Sequence, residues 1–330
     1  MSGGPRILLV SLGATAGLRA SDAELAASLE RAGATVELAT AAPPRPVRTL
    51  ALTDLAWALA ARTAARGALR RQPPGAVTVI YSTITAALLA PAPGAVRFDA
   101  LAARNRPGRH GIWQRPRERA VLARSPLLLP VSERALDGLP RRHGPAVVVP
   151  IAVDPSGPLR PPHERDIAAI TYAADAHKKG LDRVLAAWAA ARRDGEELVV
   201  AGGAPVPALA GVRAAGALER PAYRALLRRA RIYVAAPRRE EYGIAQLEAL
   251  ADGAILVTGA PDVSYAALAL ARAVDPRLAS GELASAIRTA LDDPLPGYAQ
   301  ALAPALAPFS AASVDRVVAE RVVPLLLAGA

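Results

Sequence analysis

Short apolar runs punctuated by turn residues alternate with stretches of helical periodicity along this chain. Arg6–Leu12 carries an Ile-Leu-Leu-Val run, and Ala34–Ala39, Ala76–Tyr81 and Val96–Phe98 are further runs of strand length. Continuous apolar runs predict strands covered on both faces, as in a parallel sheet. Ser21-x-x-Glu24 has the spacing of a capping box and predicts a helix start after the first strand. Thr53–Gln72 predicts a second helix. Leu127–Val131 is another strand, running into a helix start at Ser132-Glu133. The later half repeats the scheme with strands at Ala168–Ala174, Glu197–Ala201 and Val212–Gly216. A Lys178-Lys179-Gly180 turn leads into a helix through Arg192, and Leu283–Leu291 and Ser313–Leu327 are the last helices.

The most informative unit is Arg231–Thr258. Ile232–Ala235 is a strand, Pro237 stops it, and Arg238–Glu241 forms a polar loop. Gly243 then starts a helix with Ile244, Leu247 and Ala251 at helical spacing, Gly253 closes it, and Ala254–Val257 is the next strand. Strand, crossover helix and strand in direct succession form one unit of a parallel sheet. Glu240 lies beyond the carboxyl end of its strand, where open α/β sheets bind ligands. Glu248 sits between Leu247, Ala249 and Leu250, off any evident solvent face, so its charge needs a partner. The N–H groups at the helix start favour an anionic ligand.

Glu240-x7-Glu248, the Tyr242-Gly243-Ile244 core and the Glu-Ala-Leu-Ala-Asp-Gly tail together resemble the signature of retaining glycosyltransferases of the GT-B fold (family 4-like, group 1). The resemblance covers most of residues 125–295 and is architectural before that. It implies an α/β protein of two Rossmann-like domains facing a central cleft. It also implies that Glu240 contacts the donor sugar, Glu248 the nucleotide ribose, and Lys179 the donor pyrophosphate, with the Gly13–Gly17 loop facing the donor phosphates and Gly243 opening the helix beside them. Leu127–Glu133 resembles the family's strand-Pro-Ser segment, and Val147–Asp154 its link between domains. The chain departs from the family in two places. Ala173 and Ala174 stand where relatives place an arginine, which leaves Lys178 to supply charge. Gly259-Ala260-Pro261-Asp262 replaces a pair of glycines.

Composition adds three constraints. A length of 330 residues suggests about two domains, and 52% hydrophobic residues suffice for their cores. No apolar run approaches a membrane span, and without cysteine there is no disulfide or thiolate chemistry and no clue to redox compartment. The N-terminal run reads as a first strand and not a signal peptide, so a cytoplasmic location follows by default, with peripheral attachment at the inner membrane face as an option. All but two of the 40 Lys and Arg residues are arginine, and the two lysines are adjacent, Lys178 and Lys179. A compact ammonium that arginine cannot imitate is the physical reason to keep lysine. At a helix start the pair would oppose the macrodipole unless an anion lies between.

The net charge of +11 permits anionic partners. Arg62, Arg66 and Arg70 recur at four-residue spacing near Trp57 and Leu59, a pattern that suits either an anionic membrane surface or a plain solvated face. Asp99 ends a strand at a ligand-facing position. Arg104–Arg115, with Gly, Pro, Trp113 and His110, is too polar and broken for core and suits a pocket loop. His110 can bond a sugar hydroxyl or move a proton, and many family members carry a pocket histidine in this domain.

The expected organisation is an N-terminal acceptor domain over 1–155, a donor domain over 156–310, and a C-terminal helix over 311–330 crossing back to the first domain. The expected activity, of bacterial type, is transfer of a sugar from a nucleotide-diphosphate sugar, a substrate and not a cofactor, to a small-molecule, glycan or lipid-linked acceptor with retention and without metal. Glu240 and His110 are the catalytic candidates; Lys178, Lys179, Glu248, Gly243, Gly13 and Gly17 are the donor-binding ones. The alternative is a non-catalytic sugar-nucleotide or polyanion-binding protein on a degenerate GT-B fold. Nucleic acid is the weakest partner class, since 4% aromatic residues offer few stacking platforms.

Overall fold

The structure is a computed structural model that describes residues 4–72, 77–106, 108–259, 264–279 and 281–328. The chain divides into two compact units, Met1–Ala152 with Phe309–Ala330, and Val153–Pro308.

The first unit is built on five parallel strands, β1 (Arg6–Ser11), β2 (Thr35–Thr40), β3 (Thr78–Tyr81), β4 (Ala95–Phe98) and β5 (Leu128–Pro130), in the order β2-β1-β3-β4-β5. Its helices are α1 (Ala16–Arg31), α2 (Leu50–Leu69), α3 (Ile84–Ala87), α4 (Ala102–Asn105) and α5 (Gln114–Arg124). Successive residues of a strand face opposite sides, so β1 serves two cores at once. Leu8 and Val10 pack with Ala61, Ala65 and Ala68 of α2. Ile7 and Leu9 pack with Leu25 and Leu29 of α1 and with Val314, Val318, Val322 and Leu326 from the chain's C-terminal segment.

The second unit repeats the plan. Strands β6 (Ile167–Tyr172), β7 (Leu198–Ala201), β8 (Val212–Gly216), β9 (Ala230–Ala235) and β10 (Ile255–Thr258) form a parallel sheet in the order β10-β9-β6-β7-β8. The helices are α6 (Ala176–Lys179), α7 (Leu181–Ala191), α8 (Arg220–Arg229), α9 (Ile244–Ala251), α10 (Ala266–Val274), α11 (Leu283–Asp292) and α12 (Tyr298–Leu306). The strand order reverses between β6 and β9, and between β1 and β3 in the first unit. Those reversals are where open α/β sheets leave a crevice beyond the strand ends. A buried ion pair fixes the start of the unit. Arg224 of α8 donates to both oxygens of the fully buried Asp252 (2.5 and 2.9 Å) and to the Asp154 carbonyl (2.8 Å), and Asp252 accepts the Ser156 N–H (2.7 Å).

Several expected boundaries move for identifiable reasons. The first helix starts at Ala16, not at Ser21, because the Thr15 hydroxyl already accepts the Leu18 N–H and caps it. Gly17 is therefore helical. Thr49 likewise caps α2 ahead of Thr53. After β5 the chain makes only a short 3₁₀ turn at Glu133–Leu136. The C-terminal helix is interrupted: α13 (Ala311–Val317) passes through a π turn, Val318–Val322, into α14 (Val323–Ala328). Pro324 lacks the N–H that would return to the Glu320 carbonyl, which accounts for the wider turn. Ala76, Pro107 and the Ala260-Pro261-Asp262 part of the loop after β10 lie outside the described residues.

Glu118 of α5 is buried, and its two oxygens accept the Ala102 N–H at the start of α4 (2.8 and 3.1 Å). Burial pushes its carboxyl up to about 7, against that N–H and the charges of Arg106 and Arg119. Between its ordinary value of 4.5 and about 7 the folded state holds the extra proton. The associated stability is thus full below that window and lost as pH rises through it. At about 1.4 kcal/mol per pH unit the loss approaches roughly 3 kcal/mol. Urea unfolding at about pH 5 and about pH 8 should show wild type losing stability at the higher pH while Glu118→Gln loses much less. Equal slopes in the two proteins would exclude Glu118 as the titrating group.

Candidate functional site

Two short segments meet beyond the carboxyl ends of β6 and β9. The first is the single-turn helix α6, whose N-cap Asp175 accepts the Lys178 N–H at 2.9 Å. The second is the loop Ala236–Gly243 after β9. The carbonyl of Lys178 accepts the backbone N–H groups of Arg238 (2.9 Å) and Arg239 (3.4 Å), so the segments are joined main chain to main chain. Arg238 also grips Asp182 through two bonds of 2.6 and 2.7 Å. Gly180 makes this approach possible. Its φ is +64°, and a Cβ there would lie 1.9 Å from the Ala236 carbonyl oxygen, so no other residue fits.

The expected site residues come together on this joint. Lys179 Nζ donates to Glu240 Oε2 at 2.5 Å, and these side chains expose only 19% and 7% of their surface. Lys178 Nζ donates to Glu241 Oε2 at 2.8 Å, and Arg239 Nε bonds the other Glu241 oxygen at 2.7 Å. Burial would raise the Glu241 carboxyl, but Lys178 and then Arg239 hold it below its usual value. Gln246 Nε2 adds a 3.2 Å bond to Glu240. Both lysines sit in the single turn of α6, just ahead of the Gly180 N-cap of α7, and their pairing with glutamates offsets the expected conflict with the α7 macrodipole. Gly243 enters α9 at φ +85°, with Tyr265 packed where a Cβ would be.

Glu248 is buried inside α9, and the partner it needs is supplied twice. Arg220 Nε donates to its Oε1 at 2.8 Å, and Arg224 Nη1 lies 3.6 Å from the same oxygen. The sequence names the need but not the arginines, which sit one turn apart on α8 and come from a different crossover. The alanines at 173 and 174 follow β6 directly; Ala173 is buried and Ala174 exposed.

The first unit's candidates are less gathered. Gly13 donates its N–H to Ser11 Oγ (3.0 Å) and accepts from Arg19 (2.9 Å). Gly17 lies in the first turn of α1 with ordinary φ, and a Cβ there would meet nothing within 4 Å, so the expected loop ends at Thr15 and position 17 does not require glycine. His110 is exposed on a 3₁₀ turn, Gly108–Gly111, and no described residue bonds its ring. The surrounding loop is anchored, since Arg106 holds Asp54 of α2 through bonds of 2.5 and 2.8 Å and Trp113 bonds the Ala51 carbonyl at 3.1 Å. Asp99 follows β4 and is exposed. Arg66 of α2 and its C-cap Arg70 are exposed, whereas Arg62 is half-buried.

One cluster was not anticipated. Asp22 of α1 is buried at the β1/β3 reversal and accepts bonds from Ser11 and Ser82 (the latter 2.9 Å), with Arg97 Nη1 at 3.6 Å. Burial pushes its carboxyl up, opposed by those hydroxyls and by Arg97. A signal was available, since Asp22 falls on the apolar stripe Leu18, Leu25, Leu29. Among the described residues no three His, Asp or Glu side chains group as metal ligands, and no helix is long and apolar enough to cross a membrane.

Comparison with curated protein sequences gives no match. Solved structures match over nearly the whole chain. The structure of HepE from Anabaena in complex with UDP is 15% identical, covers 97% of this chain and 100% of its own, and gives a TM-score of 0.67. Sucrose-phosphate synthase from Thermosynechococcus elongatus is 15% identical over 98% and 100%, with a TM-score of 0.62. A chain of the GtfA/B complex is 14% identical with a TM-score of 0.56; it covers 81% of this chain, which spans only 61% of its length. The family model described as "Glycosyl transferases group 1" matches residues 166–293, within the second unit. The chain therefore has the GT-B fold, and its second unit carries the match to the group 1 glycosyl transferases.

Proposed function

We propose that the protein is a glycosyltransferase that takes a sugar from a nucleotide-diphosphate sugar with retention of anomeric configuration. The observation that carries the reading is the pairing of Lys179 with Glu240 at the β6/β9 reversal, in the segment that matches group 1 glycosyl transferases and that also holds the buried Glu248. The diphosphate meets Lys179 and Lys178, with the N–H groups at the start of α9 as further donors. Glu240 takes hydroxyls of the donor sugar, and Glu248 those of the ribose. The anomeric carbon–diphosphate bond breaks as the acceptor oxygen bonds that carbon from the same face. The acceptor proton passes to the departing diphosphate oxygen, whose charge the lysines stabilise. No metal is invoked, and His110 is given no proton to move, since no described residue orients its ring.

In the ligand-free protein Glu240 already occupies Lys179, so the diphosphate competes with a carboxylate. Glu240→Gln should bind the cognate nucleoside diphosphate about three- to tenfold more tightly while sugar transfer falls by about ten- to a hundredfold. Calorimetry and a transfer assay read the two effects; unchanged affinity together with unchanged transfer would remove Glu240 from the site. Transfer that is absent in wild type despite donor binding would leave a sugar-nucleotide-binding protein.

Lys179→Arg keeps the charge but replaces a compact donor with a planar fork in a confined turn. Donor affinity should fall by about tenfold or more, against no change for an ordinary surface lysine.

We further propose that the protein attaches to an anionic membrane surface, the acceptor being a small molecule, a glycan or a lipid-linked group. Support comes from one face of α2, where exposed Leu52 and Leu59 lead to exposed Arg66 and Arg70. The protein should sediment with anionic liposomes at low salt and be released as salt screens the charge. Replacing Arg66 and Arg70 by glutamine should abolish that sedimentation; equal binding would return the face to plain solvation.

A further inference from the structure

Arg220 opens α8 with its side chain 51% exposed, while the Glu248 side chain it holds is 6% exposed. The bond uses Nε alone. A guanidinium has five N–H donors, so the four on the two Nη atoms remain, and no described residue takes them. Glu248 is held by Oε1 only, through Arg220 and the buried Arg224, and no described residue donates to its Oε2. Tyr172, the last residue of β6, lies within electrostatic reach of the same carboxylate. Burial and then the Glu248 charge raise its phenol, and its ring is tilted at 58° against Tyr223 with centroids 5.3 Å apart. A half-exposed donor edge, an open carboxylate oxygen and an aromatic wall thus share one corner.

We infer that Arg220 selects the nucleoside of the donor, favouring a base that presents carbonyl acceptors, uracil, thymine or guanine, over adenine. The inference rests on the proposed reading of Glu248 as the group that holds the ribose. A base attached to that ribose lies within reach of the guanidinium one hydrogen bond away. The Nη edge can only donate. Oxo-bases offer it acceptors, and guanine offers two side by side, whereas adenine sets an amino donor beside its ring nitrogen. The same donor edge also suits a phosphate, and the pyrophosphate arm of the test separates that occupant from a base.

The test is calorimetry of the full chain with UDP, GDP, ADP and inorganic pyrophosphate, on wild type and Arg220→Met, which keeps the apolar stem and removes every donor. Wild type should bind UDP or GDP at least about tenfold more tightly than ADP. Arg220→Met should bring the preferred nucleotide to within about twofold of ADP and leave pyrophosphate unchanged. A variant that weakens UDP, GDP and ADP alike would overturn the inference, leaving Arg220 to act only through Glu248. Weakened pyrophosphate binding would overturn it in favour of a phosphate contact, and a wild type that prefers ADP would overturn it outright. Wild type that binds pyrophosphate but no nucleoside diphosphate would overturn the reading of Glu248, and this inference with it.

Discussion

Two lysine–glutamate pairs hold the second unit's functional corner in shape. Four charges at the ends of β6 and β9 are half-buried or buried, and such charges are tolerable only when paired at close range. Lys179 with Glu240 and Lys178 with Glu241 satisfy that condition across 61 and 63 residues of sequence. Most other local features serve the same joint. Asp175 caps α6 so that Lys178 and Lys179 project from a fixed turn, and Gly180 lets that turn lie against Ala236. The Lys178 carbonyl then pins the backbone of the carboxylate loop. Removing one member leaves a part-buried charge for solvent or a ligand to compensate. The loop's order and its chemistry therefore rest on the same bonds.

A second layer stands behind the first. Arg224 lies 3.6 Å from Glu248 and is bonded to Asp252, so one side chain connects a candidate ligand group to the buried pair that fixes the start of the unit. The first unit follows the same rule at its own strand reversal, with Asp22, Ser11, Ser82 and Arg97.

The strands and the crossover unit were legible because burial on both faces writes a continuous apolar run. Glu240 and Glu248 stood out through their spacing within that unit, and the structure sets Glu240 on Lys179 and buries Glu248. Helix starts were less so. Ser21 matched a capping pattern, but Thr15 reached the free N–H groups first, and sequence does not rank two competing caps. Arg220, Arg224 and the Asp22 cluster were missed because their partners lie 28, 24 and up to 75 residues away, a separation that local pattern does not carry. The lysines were noticed as outliers among arginines, yet nothing local says that each is matched to a glutamate.

The alanines at 173 and 174 gain a physical context from these pairings. Ala174 is exposed, so packing does not bar a long side chain there. The corner instead balances three cations, Lys178, Lys179 and Arg239, against two carboxylates, Glu240 and Glu241. The self-paired arrangement is stable without a donor, but it also weakens the pull on one. Under the proposed function, diphosphate binding gains only the difference between two charge-assisted bonds to Lys179, one to phosphate and one to Glu240. Each such bond contributes about 1.5–3 kcal/mol, so the net gain is less than either bond alone. Under the same reading, nucleoside contacts at Glu248 and the arginine beside it add to that gain.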